Sequence, residues 1–416
     1  MIKESEYKHR REKILNTIKK NSIAIVSSAC YKIRSNDTEY PYRQNSNFYY
    51  LCGLKEDKSC LMFIKTDKIK KVFLFVKEMD EVSKMWLGDS LGVKKAKKLF
   101  DVDKVYPYSM YKKILQKYIS QIHTVYFEFS RDTFFEKKLK KYKQDFYTCK
   151  NISKIIEQQR IIKSPSEIEL IKKALKITKK AHHKVMKINK VGLKEYQIQA
   201  IFEYIFKKNG AYSDAYTTIV AGGNNANTLH YIKNDKTLKK GELVLIDAGC
   251  EYEYYASDIT RTIPVDNSFS KHQKEVFDVV LDTQNKIISM IKEGVLRSEL
   301  QKESEKLLCK ALVKLGILKG NIKKLLKQQK HKIYYPHGIG HFMGIDVHDQ
   351  NPYKDKNQKE TVLKEGMVLT IEPGLYFPKK DKNIPKKYRG IGIRIEDNIL
   401  VKKDGYENLS KNIRKF

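Results

Sequence analysis

From residue 1 to about 150 the chain alternates short apolar runs with charged segments of helical periodicity. SIAIVSSA, SCLMFIKT, KKVFLFV and TVYFEFS read as buried strands, while KKAKKLF and MYKKILQKYI read as helices. Together they predict a mixed α/β domain. The pattern changes near QQRIIKSPSEIELIKKAL, where Ser164, Pro165 and Glu167 spell a capping box with proline at the first helical position. Ile168, Ile171, Leu175 and Thr178 then recur at helical spacing, so a long helix opens a second domain. The division predicted is 1–160 and 161–416. Further helices are expected at 194–209, 270–293 and 298–315. From 216 onward strand-like segments dominate: AYTTIVAGG, ELVLIDAGC, YYASDITRTIPV, MVLTIEPGLYF and GIGIRIEDNILV.

Length and composition agree with two packed domains, since 416 residues with 41% hydrophobic content exceed one ordinary core. No apolar run approaches the roughly 18 residues of a membrane span. The N-terminus, MIKESEYKHRREKIL, lacks the apolar centre of a secretory signal, so a cytoplasmic location without membrane attachment is expected. The six cysteines are scattered without a CxxC pair and read as reduced thiols. A net charge of +34 would attract polyanions. The lysines are nevertheless spread along the whole chain with no nucleic-acid motif, so no dedicated nucleic-acid role is expected. Only 11 of the 83 basic residues are arginine. Where lysine has replaced most arginines, Arg43, Arg160, Arg261, Arg389 and Arg394 should mark places that need a planar, forked donor.

The candidate chemistry lies in the strand-patterned segments of the second half. Asp247 ends an apolar run, Asp258 sits in ASDIT, Glu372 in LTIEPG and Glu396 in GIGIRIEDNI. In the last of these Ile391, Ile393 and Ile395 take one face, and Arg394 and Glu396 the other. Four buried carboxylates are untenable unless positive charge neutralises them. Arginines in a structural ion-pair network would serve, and so would metal ions. YYPHGIGHFMGIDVHD favours metal, because it brings His337, His341 and His348 into one glycine-broken loop. Carboxylates with one imidazole form an oxygen-rich donor set suited to Mn²⁺, with Co²⁺, Fe²⁺ or Zn²⁺ as substitutes. Five ligands with bridging capacity suggest two ions about 3.5–4 Å apart sharing a water.

These segments resemble aminopeptidase P, the Xaa-Pro aminopeptidase group of the creatinase, prolidase and methionine aminopeptidase superfamily. SNDTEYPYRQNSNFYYLCG (35–53) resembles the group's N-terminal signature. NTLHY, LVLIDAGCEYEYYASDITRTIPV, PHGIGHFMGIDVHD, EGMVLTIEPGLYF and YRGIGIRIEDNI resemble its catalytic blocks in order. The resemblance implies an α/β chain with a C-terminal pita-bread (creatinase/aminopeptidase) fold and a smaller creatinase-like α/β N-terminal domain. It implies a dinuclear-metal exopeptidase that removes the first residue from peptides with proline second, by attack of a metal-bridging water or hydroxide. Asp247 would bind one ion, His341 and Glu372 the other, and Asp258 and Glu396 would bridge them. Glu372 would also act as acid–base partner. His230 and His348 would contact substrate or steady the tetrahedral intermediate, and His337 would line the cleft. Arg394 and Tyr376 match a hydrogen-bonded pair behind the metals, and Arg160 and Asp37 match residues at the substrate entrance. A homo-oligomer, dimer or tetramer, is implied. Trp86 matches a residue that reaches a neighbouring active site, the alternative being ordinary core. Asn-Asn-Ala-Asn (224–227) stands in a loop variable in the group. Prolidase, methionine aminopeptidase and a metal-free binding module of the same fold are the rival readings.

Overall fold

The four apolar runs of the first part become β1 (Ser22–Ser27), β4 (Cys60–Lys65), β5 (Lys70–Val76) and β7 (Thr124–Phe127) of one sheet in the computed structural model, which describes residues 2–129, 148–349 and 360–416. The chain divides into two units, Met1–Arg160 and Ile161–Phe416. In the first unit β2 (Ile33–Ser35) and β3 (Thr38–Glu39) form a separate exposed hairpin. Strands β6 (Lys104–Pro107) and β8 (Thr148–Asn151) complete a six-stranded sheet of order β6-β5-β4-β1-β7-β8. One face packs Ile23, Ile25, Met62, Ile64, Phe73 and Phe75 beside the helix Tyr111–Ile119. The alternate residues Ala24, Leu61, Phe63 and Leu74 are equally buried. Both faces are therefore covered, which is why these strands read as continuous apolar runs and not as alternation.

Two neighbouring arginines anchor the helix Glu4–Thr17, and nothing in the charge pattern singled them out. Arg10 donates to the Tyr50 carbonyl and lies 4.0 Å above the Tyr50 ring, while Arg11 donates to the Leu51 and Asp101 carbonyls. The YPYRQNS stretch has a structural task as well. Gln44 accepts from Ala29 N–H and donates to the carbonyls of Leu54 and Glu56, and Asn45 caps the wholly buried helix Ser46–Cys52.

The second unit opens with the helix Pro165–Ile188, which carries the predicted capping box. The helices Glu195–Lys208, Lys271–Ser289 and Arg297–Lys314 follow. The second of these ends at Ser289, earlier than the periodicity suggested, and Met290 caps it. The strands are β9 (Ser213–Asp214), β10 (Ile219–Gly222), β11 (Leu243–Asp247), β12 (Cys250–Tyr252), β13 (Tyr255–Ala256) and β14 (Thr260–Pro264). After the histidine loop come β15 (Val368–Ile371), β16 (Gly374–Tyr376), β17 (Gly392–Arg394), β18 (Asp397–Lys402) and β19 (Gly405–Asn408). They pair antiparallel as β10-β11-β14, β13-β12-β9, β15-β18-β19 and β16-β17.

Three segments read as single strands are each broken in two. Asp258 falls between β13 and β14, Glu372 between β15 and β16, and Glu396 between β17 and β18. Pro373 has no N–H to offer a ladder, which accounts for one break. At the turn out of β11, a Cβ on Gly249 would stand 1.8 Å from the Ser257 carbonyl oxygen, so only glycine lets the two chain segments cross. Ile391, Ile393 and Ile395 join one apolar cluster with Leu243, Phe277 and Leu312, as their alternation predicts. Arg394 and Glu396 are buried on the opposite side.

Behind β11, the buried imidazole of His182 lies 3.2 Å from the Ala248 carbonyl oxygen. Burial, assisted by Arg261, holds its pKa down to about 3. The unfolded chain takes up this proton near 6.5 and the folded chain only near 3. Stability is therefore lost as pH falls through that window. Urea unfolding across it should show a smaller pH slope for His182→Gln than for the parent; an unchanged slope would contradict the assignment.

Candidate metal centre

The three strand breaks and the end of β11 turn their carboxylates toward one place. Asp258 is fixed through its backbone, its N–H donating to Asn398 Oδ1 at 3.1 Å and its carbonyl accepting from Asn398 Nδ2 at 2.6 Å. Glu396 Oε2 accepts from the Thr260 hydroxyl at 2.8 Å. From the outer helix Lys271–Ser289, the buried Gln284 amide donates to the carbonyls of Ile371 and Ile395, the residues that precede the two glutamates. One side chain thereby ties two carboxylate-bearing breaks together.

His337, His341 and His348 lie in an irregular segment, as the glycines required. The His341 Nδ1 sits 3.0 Å from the Phe342 carbonyl oxygen, to which it can donate, and this turns Nε2 toward the carboxylates. That Nε2 lies 3.3 Å from Asp258 Oδ2 and 3.8 Å from Glu372 Oε1. Ligand atoms of Asp258, His341 and Glu396 all fall within 4.8 Å of one another, close enough to hold one metal ion. His337 Nε2 is 2.8 Å from the Tyr376 hydroxyl, and its Nδ1 is 3.9 Å from Glu372 Oε2. The His348 and His341 rings meet edge to face at 4.2 Å. His230 is exposed in the turn after Gly223–Asn227, near enough for its charge to be felt by both His337 and His348.

Behind Asp247 stands Arg394. Its Nη2 donates to Asp247 Oδ2 at 2.7 Å, its Nη1 to the Tyr376 hydroxyl at 2.9 Å and its Nε to Thr260 Oγ1 at 3.2 Å. Lysine could not make this three-way contact. The other Asp247 oxygen accepts from the Tyr216 hydroxyl at 2.6 Å, a contact that no spacing in the sequence announced. The other preserved arginines are likewise built in. Arg261 donates to the Glu396 and Thr260 carbonyls and to Asp397, Arg389 to the Ile384 and Lys382 carbonyls, and Arg43 to Gln44 and Ser46. Arg160 and Asp37 belong to the first unit. Arg160 is buried and donates to Asn47 Oδ1 at 2.7 Å, and Asp37 is exposed in the turn between β2 and β3. Trp86 is not core. It is 81% exposed on the helix Glu81–Leu87, which buries none of its residues.

The electrostatics separate metal from arginine as the neutraliser. Burial pushes Glu372 up to about 7 and raises Asp247 and, further, Glu396, with neighbouring carboxylates adding to each. Burial alone would lower His341, but Asp258 beside it lifts it to about 9. Burial holds His337 down to about 4. Among the described residues, Arg394 pairs with Asp247 and Arg261 with Asp397, and no ion pair joins an arginine to Asp258, Glu372 or Glu396. Three carboxylates and an imidazole whose Nε2 faces them remain, a donor set that fits a hard or borderline divalent cation.

The model of metallopeptidase family M24 matches residues 169–403, and that of the aminopeptidase P N-terminal domain matches residues 7–126. The Xaa-Pro aminopeptidase of Haemophilus influenzae is 36% identical over 414 residues, covering 100% of this chain and 96% of that protein. The structure of aminopeptidase P from E. coli with the inhibitor Pro-Leu superposes with a TM-score of 0.94 at 35% identity, covering 100% of this chain and 96% of that one. The zinc-substituted E. coli enzyme in complex with product matches equally well, at 0.94 and 35%.

A cation that relieves this crowding must stabilise the fold by mass action. Metal-stripped protein should show a saturable rise in melting temperature on adding Mn²⁺, and Glu396→Gln should show a much smaller one. Equal shifts in both would remove Glu396 from the site.

Proposed function

The chain belongs to the aminopeptidase P group of metallopeptidase family M24 and is a metallo-aminopeptidase, and from that premise we propose an Xaa-Pro aminopeptidase with a two-ion centre. Its fold is the α/β pita-bread architecture preceded by an aminopeptidase P N-terminal domain. The observation that carries the reading is the convergence of Asp258, His341 and Glu396 within 4.8 Å, where no arginine pairs with either carboxylate among the described residues. In this reading Asp247, Asp258, His341, Glu372 and Glu396 would together hold the two ions, with Asp258 and Glu396 as the ligands common to both. Oxygen-rich ligation favours Mn²⁺ for both. When bound, such ions polarise a scissile carbonyl and make a water acidic enough to ionise near neutral pH.

The remaining work falls to side chains. Glu372 would accept a proton from the attacking water and deliver one to the departing nitrogen. His230 and His348 contact the substrate and steady charge on its carbonyl oxygen, while His337 lines the cleft and steadies Tyr376. Arg394 keeps Asp247 and Tyr376 in register. Asp37 and Arg160 are carried as substrate-side residues on the resemblance alone. The Xaa–Pro bond is a tertiary amide without an N–H, so a site that works through the carbonyl and the nitrogen suits it.

A homo-oligomer, dimer or tetramer, belongs to the same reading. The helix Glu81–Leu87 turns Val82, Met85, Trp86 and Leu87 outward, an apolar face that a second copy would cover. A cytoplasmic location fits cysteines that form no disulfide among the described residues.

Stripped enzyme given Mn²⁺ should release the first residue from an Xaa-Pro tripeptide far faster than from an Xaa-Pro dipeptide or an Xaa-Ala tripeptide. Cleavage of the dipeptide alone would make it a prolidase, and no cleavage with any divalent ion would favour the binding-module reading. Asp258→Asn and Glu396→Gln should abolish turnover. His230→Ala should lower kcat about 100- to 1000-fold with metal content unchanged.

A further inference from the structure

One fully buried carboxylate in the second unit has no part in the metal cluster. Glu195, at the start of the helix Glu195–Lys208, has no solvent exposure. Its Oε1 accepts from the Gly222 N–H and the Asn225 side-chain amide, both at 2.8 Å. Its Oε2 accepts from the Tyr231 hydroxyl at 2.8 Å and the Lys236 N–H at 2.9 Å. The backbone closes the ring, since the Glu195 N–H donates to the Lys236 carbonyl at 2.9 Å. All four side-chain contacts come from one segment, 222–236, and they grip it at both ends and twice between.

That segment carries His230, which among the described residues makes no hydrogen bond of its own. Its immediate neighbour Tyr231 is one of the four donors. A second clamp holds the same stretch from the same helix and from β10: the buried Asn234 accepts from Val220 N–H and donates to Gln199 and the Thr218 carbonyl. On the far side, the Ala226 carbonyl lies 2.7 Å from where a Cβ on Gly392 would stand, so the loop rests directly on β17, the strand that ends in Arg394. A buried carboxylate that accepts four neutral donors is a strong, directional organiser. A loop this short leaves little freedom to a residue flanked by such contacts.

We propose that Glu195 is a positioning residue that sets the place of His230 by holding the 222–236 loop from within. This rests on the proposed substrate role of His230. Glu195 touches neither the substrate nor the carboxylate cluster, and its effect passes through the loop. A displacement of about 1 Å at a group acting on the reacting carbonyl lowers turnover up to about 100-fold.

The test is a double-mutant cycle of Glu195→Gln and His230→Ala, reading kcat and KM on an Xaa-Pro tripeptide and bound Mn²⁺ by elemental analysis. Glu195→Gln keeps the volume but converts an acceptor into a donor. It should lower kcat about tenfold or more with metal content unchanged, and the double variant should be no slower than His230→Ala alone. Multiplying effects, or a Glu195→Gln enzyme with wild-type kcat, would overturn the positioning role while leaving His230 in place. A wild-type kcat in His230→Ala would instead remove the role of His230, and the proposal with it. If Glu195→Gln does not fold, Tyr231→Phe withdraws one donor only and completes the same cycle.

Discussion

The constraint on which this structure turns is the mutual repulsion of carboxylates largely withdrawn from water. Asp247, Asp258, Glu372 and Glu396 converge from separate chain segments, and burial raises three of them above the ordinary carboxylate range. Left to itself such a group would open outward. It is kept closed by contacts that fix each donor from behind: Asn398 on the Asp258 backbone, Thr260 on Glu396, Arg394 and Tyr216 on Asp247, and Gln284 across the carbonyls before both glutamates. Helices packed outside the strands supply the apolar burial that makes this frame stiff. The packed core thus holds a geometry whose repulsion is relieved by protons or by a cation.

Much of this was legible beforehand. The ligand candidates showed as charges in apolar surroundings, and the histidine loop showed through its glycines. The five arginines marked by their rarity all proved to be held in networks, because a forked guanidinium is hard to replace where several acceptors meet at fixed angles. The capping box of Ser164 and Glu167 was equally plain, since it is a local device written in four consecutive residues.

What stayed hidden depends on chain segments far apart in sequence. The breaks at Asp258, Glu372 and Glu396 look like strand interior, because the flanking residues remain apolar and β-branched; only the partner strands reveal where pairing stops. Tyr216, Thr260, Gln284 and Glu195 are ordinary residues whose importance comes from what lies opposite them. Arg10 and Arg11 are adjacent to other charges in an exposed-looking stretch, yet both are buried because acceptors 40 residues away meet them. Trp86 is the reverse case, an aromatic that composition would bury and the fold exposes.

The strand breaks carry an evolutionary consequence. The carboxylate side chain at an interruption takes no part in the strand ladders, and the flanking strands pair without it. Replacing such a carboxylate by a neutral residue removes repulsion and leaves the frame whole. At these positions selection for peptide hydrolysis and selection for a durable fold pull in opposite directions. A lineage released from the first demand would lose its chemistry early and keep its architecture long afterwards.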